Sequence, residues 1–171
     1  MDSLVQKLKK IGVAKRGQVV LTTGLRSDFY IDLKIAYGDP ELLQLMISEV
    51  LKRMDKNITC VAGLGHGGIP LATALALNKN LKLVLVRKEK RKHGSKKWID
   101  GYCPIKSDRI VVVDDVLTTG SSIKEIIRKI EPTGAKIIKC IVIVNRSPNK
   151  KFKFKVEYLV KAEDLLDRAV V

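Results

Sequence analysis

The chain has 171 residues, enough for one domain with a sizeable core. Hydrophobic residues make up 46% and charged residues 30%, a globular composition, and no apolar run approaches the length of a membrane-spanning helix. With 33 Lys and Arg against 18 Asp and Glu, the formal net charge is +15, a field that attracts nucleic acid, anionic membrane or phosphorylated metabolites. Most of the lysines are scattered and read as solvated surface. The dense run is RKEKRKHGSKK, Arg87 to Lys97. The N-terminal MDSLVQKLKKIG has neither a signal-peptide core nor a small-residue cleavage site, so the expected compartment is the cytoplasm. Cys60, Cys103 and Cys140 form no CxxC pair, which argues against a zinc ribbon or a disulfide framework. Cys60 and Cys140 stand in apolar runs and read as small buried hydrophobes. Cys103 stands in a loop-like segment.

In chain order, Ser3 caps a short amphipathic helix through Lys10, closed by Gly12. Two β-like segments follow, QVVLTTG and SDFYIDLK. Asp39-Pro40 opens a helix in which Leu43, Ile47, Val50 and Met54 recur at helical spacing. The pattern then becomes strand, loop, helix. ITCVAGL is a buried strand, GHGG its loop, and Ile69–Leu77 a helix with Pro70 in the first turn. KLVLVRK and RIVVVDD are further strands, and Ser121–Ile130 is a helix. Gly134 stops that helix, KIIKCIVIV is the next strand, and KFKFKVEYLV alternates with period two like a strand near a wet edge. Short apolar strands alternating with helices predict an α/β fold with a mainly parallel central sheet flanked by helices.

Two stretches carry the chemistry. GLGHGG lacks the third glycine and the downstream acid of a dinucleotide fingerprint, and no Gly-Lys-Ser/Thr follows as in a Walker A loop. It is either an ordinary strand-to-helix turn or a backbone-amide cradle for an anion. In IVVVDDVLTTGSS, Ile110 to Ser122, four β-branched residues run into Asp114 and Asp115 at the carboxyl end of a strand, where open α/β sheets bind ligands. The hydroxyls of Thr118, Thr119, Ser121 and Ser122, with Gly120 and the helix behind them, suit a terminal phosphate. The two carboxylates would repel that phosphate, so they face vicinal sugar hydroxyls or a divalent metal instead.

VVVDDVLTTGSS resembles the phosphoribosyl-pyrophosphate signature of type I phosphoribosyltransferases. The remaining motifs are similar to those of the orotate branch of that family. TTGLRSDFYIDLK resembles its base-binding segment, VAGLGHGGIPLATALA its pyrophosphate loop, VRKEKRKHG its mobile catalytic loop, and VNRSP the strand end bearing its orotate-contacting arginine. These matches cover most of the chain. The resemblance implies a single domain over 1–171, with a small N-terminal hood at about 1–35 and a mobile catalytic loop at about 87–101.

It also implies roles. Asp114 and Asp115 meet the ribose hydroxyls, directly or through Mg2+ and water. Val116 and Leu117 also bind phosphoribosyl pyrophosphate, and Thr118, Thr119, Gly120, Ser121 and Ser122 hold its 5′-phosphate, with Thr118 also touching the pyrimidine. Arg146 grips the orotate carboxylate, a task suited to a planar guanidinium. Arg87, Lys88, Arg91 and His93 close over the pyrophosphate of a neighbouring subunit, which implies a homodimer. Asp114, Asp115, Arg91 and His93 are the expected catalytic set. The chain departs from the family pattern at Thr22 and Gly67, where many or some members carry lysine, and at Arg91, where the loop lysine is expected. Orotidylate decarboxylation would fall to a separate polypeptide. Two other readings share the fold: a purine phosphoribosyltransferase, and a nucleotide-sensing regulator that binds nucleic acid. Aromatics at 5%, and the lack of a helix-turn-helix or RNP-like pattern, argue against the second.

Overall fold

The computed structural model describes residues 3–20, 26–90, 97–149 and 151–166. Helix α1, Leu4–Lys10, opens on a capping box in which Ser3 Oγ accepts the Gln6 N–H and the Gln6 side chain accepts the Ser3 N–H. Strands β1, Ala14–Val20, and β2, Arg26–Ile31, pair antiparallel as a separate two-stranded sheet, the expected hood. A 3-10 turn over Leu33–Gly38 leads to α2, Pro40–Leu51. Asp39 caps α2, its Oδ1 accepting the N–H groups of Glu41 and Leu42 at 3.0 and 3.1 Å.

The main sheet contains β3, Cys60–Leu64; β4, Lys82–Val86; β5, Ile99–Gly101; β6, Arg109–Leu117; β7, Lys136–Asn145; and β8, Val156–Lys161. Their spatial order is β5-β4-β3-β6-β7-β8, parallel throughout except for the antiparallel β4–β5 pair. Helix α3, Gly65–Lys79, follows β3, and α4, Ser121–Ile130, follows β6. Alternate residues of the central strands feed two cores. Val61, Val111, Val113, Ile141 and Ile143 pack with α2 and α3. Cys60, Ala62, Ile110, Val112, Cys140 and Val142 pack with Ile123, Ile126 and Ile130 of α4. A sheet covered on both faces has no wet side, which is why its strands read as continuous apolar runs. Cys60 and Cys140 are buried as expected, and burial pushes their thiols up to about 11 and about 12, out of the nucleophilic range. Cys103 is exposed.

The structure differs from the sequence expectations at four places. GHGG is the first turn of α3 rather than a loop. β1 begins at Ala14, four residues before the expected segment. Ile99–Gly101, expected in the mobile loop, is held as β5 on the free edge of β4. KFKFKVEYLV enters the sheet only from Lys155, whose carbonyl accepts the Cys140 N–H. Before that point the chain leaves the ladder, and Phe152 and Phe154 stack at 5.3 Å against the α4 core.

At the amino ends of the strands, buried Asp108 joins three segments. It accepts from Thr59 Oγ1 (2.9 Å), the Tyr102 hydroxyl (2.9 Å), the Ile105 N–H (2.9 Å) and Lys82 Nζ (3.1 Å). Burial alone would raise its pKa, but those donors outweigh it and hold the carboxyl below the usual range. Asp108→Asn is expected to destabilise the fold by about 3 kcal/mol at pH 7 in urea unfolding, because donors then face an amide in a dry site. The folded pKa lies below the unfolded one. The difference is therefore fully present at neutral pH and shrinks as the pH falls below about 4 towards the depressed folded value. An unchanged midpoint at pH 7 would show that this junction is not structural.

Candidate active site

Strand β6 carries the acid pair out of the core at the carboxyl end of the sheet. Asp114 is 7% exposed. Its Oδ1 accepts the Asp115 N–H at 3.0 Å, and Asp115 Oδ1 accepts the Val116 N–H at 2.8 Å. Burial, and then the neighbouring Asp115 charge, push the Asp114 carboxyl well above its ordinary range. The charge of the pair is met by Lys34, just beyond the hood, whose Nζ lies 3.7 Å from Asp115 Oδ2. Partial burial works against the Lys34 ammonium, but Asp115, Tyr30 and Asp32 hold its pKa above the usual lysine value.

The first turn of α3 forms the floor beneath these acids. A Cβ on Gly67 would stand 2.3 Å from Asp115 Oδ1, and one on Gly68 would stand 2.7 Å from the Val113 carbonyl. Asp115 thus occupies the space a side chain at 67 would need, which is the physical counterpart of the glycine found there. The Tyr37 hydroxyl donates to the Gly67 carbonyl at 2.7 Å and ties this turn down. Burial and the two aspartates raise the pKa of that phenol, so it remains a donor. Among the described residues no side chain caps α3, and Lys88 reaches over its start, with Cε 3.7 Å from the Cβ position of Gly65. Beside this lies a cleft of about 420 Å³ lined by Gly65, Ile69, Lys88 and Asp100.

The hydroxyl loop lies on the other side of the acids. Gly120 takes φ 77°, a left-handed turn, and Phe152 Cε1 lies 2.8 Å from where its Cβ would be, so both backbone and packing require glycine. Helix α4 starts directly after it, again without a side-chain cap, and Thr119 Oγ1 donates to Ser121 Oγ at 3.3 Å. Helix amides left without a side-chain cap form a ready anion site. Thr118, Thr119 and Ser122 are half-buried, and Ser121 is exposed. Leu117 is buried, and its carbonyl accepts the Arg146 N–H at 2.9 Å. That bond sets Arg146, just past β7, next to the loop. Its guanidinium donates to the Phe29 carbonyl at 3.2 Å and stacks 4.3 Å over the Phe29 ring, joining the sheet to the hood. Partial burial lowers its pKa, opposed by Tyr30.

The structure therefore brings together Asp114, Asp115, the segment Val116 to Ser122, Lys88 and Arg146. The Arg87 guanidinium pairs with Asp100 at 2.7 Å, and both residues line the cleft beside the start of α3. Arg91, His93 and Thr22 lie outside the described residues. Sequence reasoning missed Lys34 and Tyr37. Both follow the hood strand at unremarkable spacing, and their only signal is that Lys34 ends the base-binding segment and Tyr37 comes just after it. Among the described residues no group of three or more His, Cys, Asp and Glu side chains could hold a metal. The acid pair fits a hard cation that shares its shell with a ligand's oxygens rather than one caged by protein alone.

Two anion cradles at helix N-termini flanking an acid pair, at the carboxyl end of a doubly wound sheet, define a site for a phosphorylated sugar. Residues 41–167 match the phosphoribosyl transferase domain family model. The chain is 36% identical to an orotate phosphoribosyltransferase of Methanosphaera stadtmanae, over 90% of this chain and 86% of that one. It is 37% identical to that of Archaeoglobus fulgidus, over 97% and 92%. The crystal structure of orotate phosphoribosyltransferase from Aeropyrum pernix superposes with a TM-score of 0.81 at 30% identity, covering 95% of this chain and 96% of that one. The chain belongs to the phosphoribosyltransferase family and, within it, to the orotate phosphoribosyltransferases.

Asp114→Asn is expected to raise Tm at pH 8 by about 3 °C and to change it little at pH 4. The folded pKa of Asp114 lies above the unfolded one. As pH rises from about 4 towards that folded value, ionisation in the unfolded chain increasingly favours unfolding, and asparagine removes the effect. A gain independent of pH would contradict the protonated native carboxyl.

Proposed function

We propose that this protein transfers the 5-phosphoribosyl group from phosphoribosyl pyrophosphate to orotate, giving orotidine 5′-monophosphate and pyrophosphate. The observation that carries the reading is the position of Arg146, a planar guanidinium held between hood and sheet beside the hydroxyl loop. A carboxylated pyrimidine needs such a group, and a purine does not. The α4 N-terminus with Thr118 to Ser122 takes the 5′-phosphate, and Thr118 also touches the pyrimidine. Asp114 and Asp115 accept from the ribose hydroxyls. The α3 N-terminus and Lys88 receive the pyrophosphate.

Displacement at the ribose carbon passes through an oxocarbenium-like state, as in glycoside chemistry. The chain stabilises the departing charge with amides and cations already in place. Closure of the basic loop, through Arg91 and His93 from a neighbouring subunit of a homodimer, excludes water. Magnesium is the proposed cofactor. Asp114 and Asp115 would hold it, directly or through water, and when bound it would neutralise pyrophosphate charge. The cytoplasm is the proposed compartment, with a separate decarboxylase acting on the product. No helix among the described residues is long and apolar enough to cross a membrane.

The test is a spectrophotometric assay with orotate, phosphoribosyl pyrophosphate and magnesium. Orotate absorbance is expected to fall as pyrophosphate appears, with no pyrophosphate release when adenine or hypoxanthine replaces orotate. Turnover of a purine in place of orotate would overturn the reading. In the same assay Arg91→Lys is expected to keep the rate within a few-fold. Arg91→Ala should lose about a hundredfold, the scale for removing one group that stabilises transition-state charge. An unchanged rate in the alanine variant would remove Arg91 from the mechanism.

A further inference from the structure

Lys129 is a buried lysine in the last turn of α4, beside the apolar stripe of Ile123, Ile126 and Ile130. Its ammonium has three protons. It donates to the backbone carbonyl of Arg87, to that of Lys88 at 3.0 Å, and to Glu125 Oε1 at 2.5 Å. The Trp98 ring covers it at 4.3 Å from Nζ to centroid. Arg87 and Lys88 begin the basic segment, and Trp98 follows directly after it. The two ends are also joined to each other, by the Arg87 N–H to the Trp98 carbonyl at 3.0 Å and by the Arg87–Asp100 ion pair.

We infer that Lys129 is a positioning residue, one that fixes the root of the basic segment between Lys88 and Trp98 relative to the phosphate loop at the other end of α4. An ammonium removed from water carries a desolvation penalty, and an aliphatic side chain would fill the same space without it. What the lysine supplies is direction: two adjacent carbonyls and one ring face are held at fixed places. Lys88, whose carbonyl it holds, reaches over the start of α3, where the pyrophosphate is proposed to sit. One ammonium therefore gives three parts of the site a common frame: the helix behind the hydroxyl loop, the pyrophosphate cradle, and the root from which the loop cations approach. Misplacement of such a root by about an ångström is enough to cost on the order of a hundredfold in rate.

This inference rests on the phosphoribosyl pyrophosphate reading and deepens it. Trp98 is the single tryptophan of the chain, so its fluorescence reports the clamp without any turnover. The experiment compares wild type, Lys129→Met, Lys129→Arg and Glu125→Gln by Trp98 emission and by steady-state kinetics with each substrate varied. Lys129→Met should shift the Trp98 emission maximum and lower kcat/KM for phosphoribosyl pyrophosphate at least tenfold, with KM for orotate within twofold. Lys129→Arg should restore at least half of the loss. Glu125→Gln, which leaves the lysine in place with a weaker partner, should give a smaller change of the same kind. The Glu125 variant carries the test if the methionine variant does not fold. A uniform drop in kcat matching the folded fraction, with both KM values and Trp98 emission unchanged, would overturn the inference and leave Lys129 a simple staple. If wild type fails to use orotate, the proposed function falls. The clamp is then judged on Trp98 emission alone, where identical spectra for wild type and Lys129→Met refute it.

Discussion

Two adjacent carboxylates at the end of a buried central strand are the constraint around which the site is built. β6 lies between β3 and β7, so Asp114 cannot escape to water, and its proton is held well above the usual range. Asp115 lies over the first turn of α3, and this is possible only because residue 67 has no side chain. Lys34 then answers the remaining charge from beyond the hood. Moving either acid would require the floor, the hood junction and the following loop to move as well. A pair this dry and this crowded is poised to accept from hydroxyls or to share a cation, and it would repel a bare phosphate. The proposed phosphate sites accordingly lie to either side, at two helix N-termini that no described side chain caps.

The site divides between parts fixed by the sheet and parts that approach from its edges. The acids, the hydroxyl loop and Arg146 all stand at the carboxyl ends of β6 and β7, two strands paired in register over most of their length. Arg146 reaches from there to Phe29 and makes the hood a wall of the site. The basic segment proposed to meet the leaving group instead hangs on β4 and β5 at the sheet's far side. Lys129 spans that separation. The edge strand β5 and the Arg87–Asp100 pair tie the two ends of that segment together.

Helix and strand identities were legible because burial on both sheet faces leaves uninterrupted apolar runs, and Asp39-Pro40, Ser3 and Gly134 mark boundaries through local backbone chemistry. The start of α3 was not legible, because glycines read as a loop unless the close approach of Asp115 and Val113 is known. Period two in KFKFKVEYLV correctly placed β8 at an edge. It misled about Phe152 and Phe154, whose rings are held by the α4 core and by Gly120 rather than by a strand ladder.

By itself the sequence determined the fold class and the acid pair followed by its hydroxyl loop. Each of these depends on residues adjacent in the chain, where local geometry follows from residue type. Tertiary structure alone decided that Lys34 pairs with Asp115, that Tyr37 pins Gly67, that Arg87 turns onto Asp100, and that Lys129 holds Arg87, Lys88 and Trp98 together. Apart from the Arg87–Asp100 pair, these contacts join residues about 30 or more positions apart in the chain. No periodicity or motif encodes them; the layering of helices on the sheet brings them within reach.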